Sequence, residues 1–395
     1  MDLIFVSMEN WDDIWRRNQF ICAELTRRFP DGKILFVGLT RDVSNQVRRG
    51  RLGGALQDDT HGVEGIPQIT VTRPIKLFPN SIRIFRQIND AMARRHILKH
   101  AHRLGLNAPL LWLNPHSAVH MIGKMGECAA VYDITDDWTT LTQSASLKEL
   151  TIAQDAEMCS RADAVIVCSD RLYEMKKSMA QKQNLHLIPN GVDAAHYSCV
   201  LDDSGPLPVE VAGWEHPVLG YTGTIHRDRV DVALVEAIAQ KMTHGSIALV
   251  GPSHLSDAES AQLTSTGKVH LTGAIPYGRV PQLMRGFDIC ITPHLVTDFT
   301  ESLNPIKLWE YLACGKPIIS TPVAGFRNYP QYVRLANDAE GFIREMSMAL
   351  QEGVETQNAR RHEALDHSWQ KRTDTVIGVM EQAKQRRQTG AGASS

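Results

Sequence analysis

Short apolar runs alternate with segments of helical periodicity in this chain, and they do so twice, on either side of a proline- and glycine-containing break. In the first half, Asp2 to Ser7, Lys33 to Gly38, Gln68 to Thr72, Pro109 to Asn114, Ala130 to Ile134, Ala164 to Cys168 and Leu185 to Ile188 read as buried strands. Helices are expected at Trp15 to Phe29, Ser81 to Leu104, Leu147 to Ser160 and Arg171 to Gln181, with a loop over residues 41 to 65. In the second half the strands are Pro217 to Gly223, Ser246 to Gly251, Val269 to Gly273, Ile289 to Pro293 and Ile318 to Thr321. Strands alternating with helices fold into parallel, doubly wound sheets. A length of 395 residues exceeds what one core holds, so two Rossmann-like α/β domains are expected.

In such sheets ligands bind beyond the C-terminal strand ends. Asn10, Trp15, His116, Asp136, Asp137 and Asn190 fall there in the first half. In the second, Gly223 ends a strand and is followed by Thr224, Arg227 and Arg229, a glycine turn with cations suited to a phosphate. The stretch from Glu301 to Pro317 reads as loop, helix and strand boundary. Asn304 is the expected N-cap, Pro305 the first helical residue and Gly315 the left-handed stop. Lys307 and Glu310 then share one face, either as part of a phosphate and ribose site or as an ion pair on a surface helix.

Several classes of function are disfavoured. A net charge of −2 argues against a dedicated nucleic-acid binder. No apolar run approaches the ~18 residues of a membrane span, and a cytoplasmic location is expected. Seven cysteines without CxxC spacing read as reduced core residues. Asp133, Asp136 and Asp137 read as capping and solvated carboxylates, and neither a metal nor a cofactor is expected. Charge is polarised: residues 41 to 103 hold 12 Lys/Arg against 5 Asp/Glu, residues 104 to 160 hold 2 against 7. The basic segment 81 to 104 reads as an amphipathic helix, either a solvated face or a contact with an anionic membrane.

The order Ile188-Pro-Asn-Gly-Val-Asp193, Gly220-Tyr-Thr-Gly223, Leu249-Val-Gly-Pro252, Val269-His-Leu-Thr-Gly273 and Glu301 to Thr321 resembles the retaining GT-B-fold glycosyltransferases of glycosyltransferase family 4. Asn304-Pro-Ile-Lys-Leu-Trp-Glu-Tyr-Leu-Ala-Cys-Gly-Lys-Pro317, with the Trp11-Asp-Asp-Ile-Trp15 and Val131-Tyr-Asp-Ile-Thr-Asp-Asp-Trp138 stretches, looks most like the teichuronic acid and exopolysaccharide branch. The resemblance implies an acceptor domain over 1–200, a linker over 201–216, a nucleotide-sugar domain over 217–365, a helix over 366–387 returning to the first domain, and a disordered tail over 388–395.

It also implies site residues. Glu310 matches the carboxylate that holds the ribose hydroxyls, and Glu301 the one that contacts the transferred sugar. Ser302, Leu303 and Asn304 would offer backbone N–H groups to sugar and diphosphate. Gly223 matches the glycine under the diphosphate, Thr224 and Gly251 fall in the same nucleotide-binding set, Ile275 lies where the base is met, and His116 stands near the acceptor-side histidine. Lys307 would stabilise the leaving diphosphate. Eight residues separate Glu301 from Glu310 where the family has seven, and Thr224 stands where the family has Arg. Lys307, Arg227 and Arg229 therefore all remain candidates for the diphosphate charge. The implied reaction moves a sugar from a nucleotide diphosphate to a glycan or lipid-linked hydroxyl. A nucleotide-sugar epimerase and a non-catalytic partner subunit are the alternatives.

Overall fold

The computed structural model describes residues 1–12, 14–43, 57–139, 144–180 and 182–392. It divides into two units, Met1–Pro189 with Thr373–Ser395, and Asn190–Arg372. The second unit thus starts well before the expected linker. Residues 201 and 202 lie inside a helix, Ala194–Asp202, that belongs to it.

The first unit holds an eight-stranded sheet. In spatial order its strands begin at Leu185, Ala164, Ala129, Leu110, Leu3, Ile34, Ile66 and Thr60. All neighbours are parallel except Thr60–Val63 and Ile66–Thr72, an antiparallel hairpin at the edge. The central strands Leu3–Val6, Ile34–Val37, Leu110–Leu113 and Ala164–Val167 are buried at every residue, as covering both faces of a parallel sheet requires. The edge strand Thr60–Val63 lies inside the expected loop 41 to 65; residues 44–56 lie outside the described residues.

Helix Arg83–Leu104 ends at Gly105, whose φ of 70° is left-handed. It does not divide its faces as the sequence pattern proposed. Ile97, His100 and Ala101 are buried, whereas Ile82, Ile84, Ile88 and Leu98 stand exposed. Asp133, in the strand Ala129–Ile134, meets Arg17 of helix Arg17–Arg28 through two hydrogen bonds of 3.0 and 3.1 Å. Both are almost fully buried, and Arg17 also donates to the carbonyls of Ile188 and Pro189. All seven cysteines are free thiols, five of them buried.

The second unit has a six-stranded parallel sheet with strands beginning, in spatial order, at Val269, Ser246, Val218, Ile289, Ile318 and Val333. The chain winds outward from Val218 in one direction and from Ile289 in the other. The switch point therefore lies between the C-terminal ends of Val218–Thr222 and Ile289–Thr292. One core packs on each face, around Phe287, Leu312 and Phe326 on one side and Ile238, Leu249 and Phe342 on the other. The final helix, Trp369–Gly392, has its first turn in the second unit and the rest in the first. It runs past Gln388, where a disordered tail was expected; residues 393–395 lie outside the described residues.

Candidate active site

Gly223 follows the strand Val218–Thr222 at the switch point, and its N–H donates to the Val250 carbonyl at 2.8 Å. Its φ is 128°, a conformation that favours glycine. A Cβ there would lie 2.5 Å from Lys307 Nζ and 2.4 Å from Lys307 Cε. The lysine side chain rests directly on the glycine, and any other residue would displace it. Gly251 has a φ of 144°, and a Cβ on it would lie 2.3 Å from the Gly223 carbonyl oxygen. Two glycines thus bring backbone, backbone and ammonium group into one place.

Lys307 comes from helix Ile306–Cys314, which ends at Gly315 with a φ of 73°. The start of that helix differs from the sequence reading. Pro305, not Asn304, is the N-cap, and no side chain caps it. The Asn304 carboxamide accepts instead from the Asn190 N–H at 2.8 Å, and Asn190 Nδ2 donates back to the Asn304 carbonyl. Asn190 is itself held. Val192 N–H donates to the His367 carbonyl, Trp369 N–H to the Val192 carbonyl, and Arg372 Nε to the Asn190 carbonyl. The Pro189 to Asp193 stretch is therefore the brace that positions the loop before the Lys307 helix.

Glu310 lies one turn after Lys307, and its Oε1 accepts from the Tyr197 hydroxyl at 2.8 Å. Tyr197 is buried on helix Ala194–Asp202. Beside it His196 stacks on Tyr277 at 4.1 Å between ring centroids, and the two are joined by a 3.1 Å contact from His196 Nε2 to the Tyr277 carbonyl. Ile275 packs against the same cluster. Glu310 thus stands at the edge of an aromatic wall.

Arg229 completes the cationic side, and His294 lies beside it. The loop after Gly223 returns to the neighbouring strand end, with Asp231 N–H donating to the Pro293 carbonyl and Leu295 N–H to the Arg229 carbonyl, both at 2.8 Å. Arg229 lies over the Phe299 ring, 5.3 Å from its centroid. Lys307 Nζ is 5.3 Å from the centroid of Tyr221, whose hydroxyl meets His294 Nε2 at 3.2 Å. Burial lowers the Lys307 pKa to about 8; Glu310 opposes that shift and Arg229 adds to it. Burial also raises the Glu310 pKa, against the pull of Lys307 and the Tyr197 hydrogen bond. His294 is held well below the usual imidazole range by burial and by both neighbouring cations. Two cations, a neutral imidazole and one carboxylate suit a ligand with a strongly anionic end and a hydroxylated neighbour.

Other expected residues fall elsewhere. Arg227 points outward to Glu259, whereas Arg229 is close enough to Lys307 to lower its pKa. Thr224 contributes a carbonyl that accepts from the Tyr221 hydroxyl. Glu301 is taken up by Arg327 at 2.8 Å and by the Ala324 N–H at 3.2 Å. The Leu303 N–H donates to Thr300 and closes the turn of helix Asp298–Ser302, so it is not on offer to a sugar as expected. The Ser302 hydroxyl donates to the Phe299 carbonyl. His116 belongs to the first unit, at the start of the 3₁₀ turn His116–Met121 after the strand Leu110–Leu113. Burial lowers its pKa, with Asp155 opposing.

Sequence reasoning missed Tyr197, His196, Tyr277 and Tyr221. His294 had a usable signal, since it follows a strand end just as the singled-out residues of the first half do.

Residues 216–352 match the family model described as Glycosyl transferases group 1. The Bacillus subtilis (strain 168) glycosyltransferase TuaH, named for teichuronic acid biosynthesis, is 29% identical over 200 residues. That match spans 48% of this chain and 50% of the relative, about half the length of each. Among solved structures, sucrose-phosphate synthase from Thermosynechococcus elongatus superposes with a TM-score of 0.67 at 15% identity, covering 96% of this chain and 98% of its own. The chain has the GT-B glycosyltransferase fold. Two further neighbours were solved with UDP or a UDP-sugar bound. HepE from Anabaena, in complex with UDP and glucose, gives a TM-score of 0.64 at 14% identity over 96% of this chain and 99% of its own. The E. coli trehalose-6-phosphate protein bound with UDP-2-fluoro glucose gives 0.66 at 11% identity over 97% and 99%.

Proposed function

We propose that this chain is a glycosyltransferase that moves a sugar from a nucleotide diphosphate to a hydroxyl of a glycan or lipid-linked acceptor, with retention, in polysaccharide biosynthesis. The observation that carries the reading is Lys307 lying on Gly223 at the switch point, with Glu310 one turn away. The diphosphate would sit against Lys307 and Arg229, and Glu310 would accept from the ribose hydroxyls. The base would pack on the wall of Ile275 and Tyr277. UDP is the favoured donor nucleotide, because two GT-B neighbours were solved with UDP or a UDP-sugar.

In the transfer step the bond from the anomeric carbon to the leaving phosphate breaks as the acceptor oxygen attacks the same face. The leaving phosphate takes the acceptor's proton, and charge grows on the diphosphate. Lys307 and Arg229 stabilise that charge in a site from which water is partly excluded. Glu301, held by Arg327, would place a carboxylate and its paired cation near the sugar. His116 is proposed to face the acceptor.

Glu310→Gln should weaken UDP binding by about 10- to 150-fold, measured by calorimetry, because hydrogen bonds to a charged acceptor contribute about 1.5–3 kcal/mol. Unaltered UDP affinity would remove Glu310 from the ribose.

The acceptor side is proposed to work at an anionic membrane surface. Among the described residues no helix is long and apolar enough to cross a membrane. In the first unit a cleft of about 580 Å³ is lined by Arg83, Arg86, Arg94, Lys124 and Arg161, against the two carboxylates Asp90 and Glu157, the latter paired with Arg161. The exposed Ile82, Ile84 and Ile88 lie on the same helical stretch as the first three of these. Flotation with anionic vesicles should be lost when Arg83, Arg86 and Arg94 are replaced by Gln together; flotation that persists would rule this surface out.

A further inference from the structure

We infer that the first unit carries a divalent transition-metal site formed by Asp58, His96 and His100, remote in sequence from every residue placed in the donor site. His96 and His100 are four apart on helix Arg83–Leu104 and so share one face. Asp58 lies just before the edge strand Thr60–Val63. One donor atom from each of the three lies within 4.8 Å of the other two. Two imidazoles and a carboxylate are a zinc-type ligand set that keeps a fourth position for water.

Two independent features support a ligand here. His100 is 4% exposed, and its Nε2 is buried without a hydrogen-bond partner. That nitrogen is 3.3 Å from Asp58 Oδ2. Zinc bonds of about 2.0–2.1 Å place tetrahedral donor atoms about 3.3 Å apart, so this pair already has the required separation. The second feature is a chain of hydroxyls behind the ligands. Thr60 Oγ1 donates to Asp58 Oδ1 at 2.6 Å, Thr72 Oγ1 meets Thr60 Oγ1 at 2.7 Å, and His96 Nε2 meets Thr72 Oγ1 at 2.7 Å.

The proton of Thr60 is committed to the carboxylate, so the rest of the chain has one consistent direction. His96 Nε2–H donates to Thr72, and Thr72 donates to Thr60. This leaves His96 Nδ1 with its lone pair, while Asp58 Oδ2 is approached by His100 Nε2 at 3.3 Å and by Arg103 at 3.9 Å. Metal-bound histidines are held this way, with the second ring nitrogen donating to an outer group. Cations nearby oppose a dication: Lys99 and Arg103 face the cluster, while Arg41 leans toward Asp59 at 3.9 Å. A bound metal would tie the start of the edge hairpin to the helix.

The test is a Co(II) titration of the full-length, EDTA-treated protein, read by visible absorption and followed by Zn(II) competition. One equivalent should give the intense bands of four-coordinate cobalt, and Zn(II) should abolish them. Asp58→Asn and His100→Gln should each weaken binding more than about tenfold. Thr72→Val should weaken it by about 10- to 100-fold through the orientation of His96. His102→Ala, an exposed residue on the same helix, should leave the titration unchanged. Absence of the bands at stoichiometric cobalt, or bands that survive in both Asp58→Asn and His100→Gln, would overturn the site. Where His100→Gln fails to fold by circular dichroism, the exposed Asp58→Asn decides alone. None of these readouts depends on sugar transfer.

Discussion

Lys307→Ala is expected to lower kcat for sugar transfer by about 100- to 1,000-fold, the range set by losing one preorganised group that stabilises developing charge, about 2.7–4 kcal/mol. The effect should fall mainly on kcat, since the charge on the diphosphate is larger in the transition state than in the bound donor. Lys307→Arg should not restore it, because a guanidinium is wider than an ammonium group and the place above Gly223 is already filled. The pH dependence carries a sign. In the free protein the Lys307 pKa is lowered to about 8, and a bound diphosphate would raise it. Affinity for UDP should therefore be flat below pH 8 and fall as pH rises above it, and Lys307→Met should abolish that fall. Turnover of the true donor unchanged in Lys307→Ala would remove the lysine from catalysis.

The largest stability effect is expected in the first unit. Asp133→Ala removes the buried carboxylate that takes two hydrogen bonds from the Arg17 guanidinium. Removing one partner of such a pair typically costs about 3–5 kcal/mol, whereas replacing both by apolar groups of similar volume is often neutral. The urea midpoint of Asp133→Ala should drop sharply, and Arg17→Met with Asp133→Leu should recover most of the loss. A single-variant loss below about 1 kcal/mol would show that the pair contributes no more than a surface contact.

These two sites illustrate what the sequence could and could not convey. The parallel sheets were legible because runs such as Leu3–Val6 and Leu110–Leu113 are apolar throughout and lie side by side at the centre of their sheet. The edge strand Thr60–Val63 was not, because its Thr-His-Gly-Val pattern has two exposed central residues and no apolar face. Lys307 and Glu310 were legible as one face of a helix, since that relation is local. The contact of Lys307 with Gly223 spans 84 positions, and the bond from Tyr197 to Glu310 spans 113, so neither periodicity nor spacing reports them. Asn304 was misplaced for a related reason. A helix-capping preference is a local tendency, and here Asn190 competes for the same carboxamide from 114 residues away. The partner of Glu301 was hidden likewise: Arg327 lies 26 residues downstream, in the single 3₁₀ turn Phe326–Asn328.

The close packing of Lys307 on Gly223 also limits how these two positions can change together. A side chain at 223 and the loss of the amine at 307 deprive a ligand of the same point of attachment, so their penalties should overlap rather than sum. Drift at either position would relax the constraint on the other. In that sense glycine and lysine, far apart along the chain, behave as a single heritable unit.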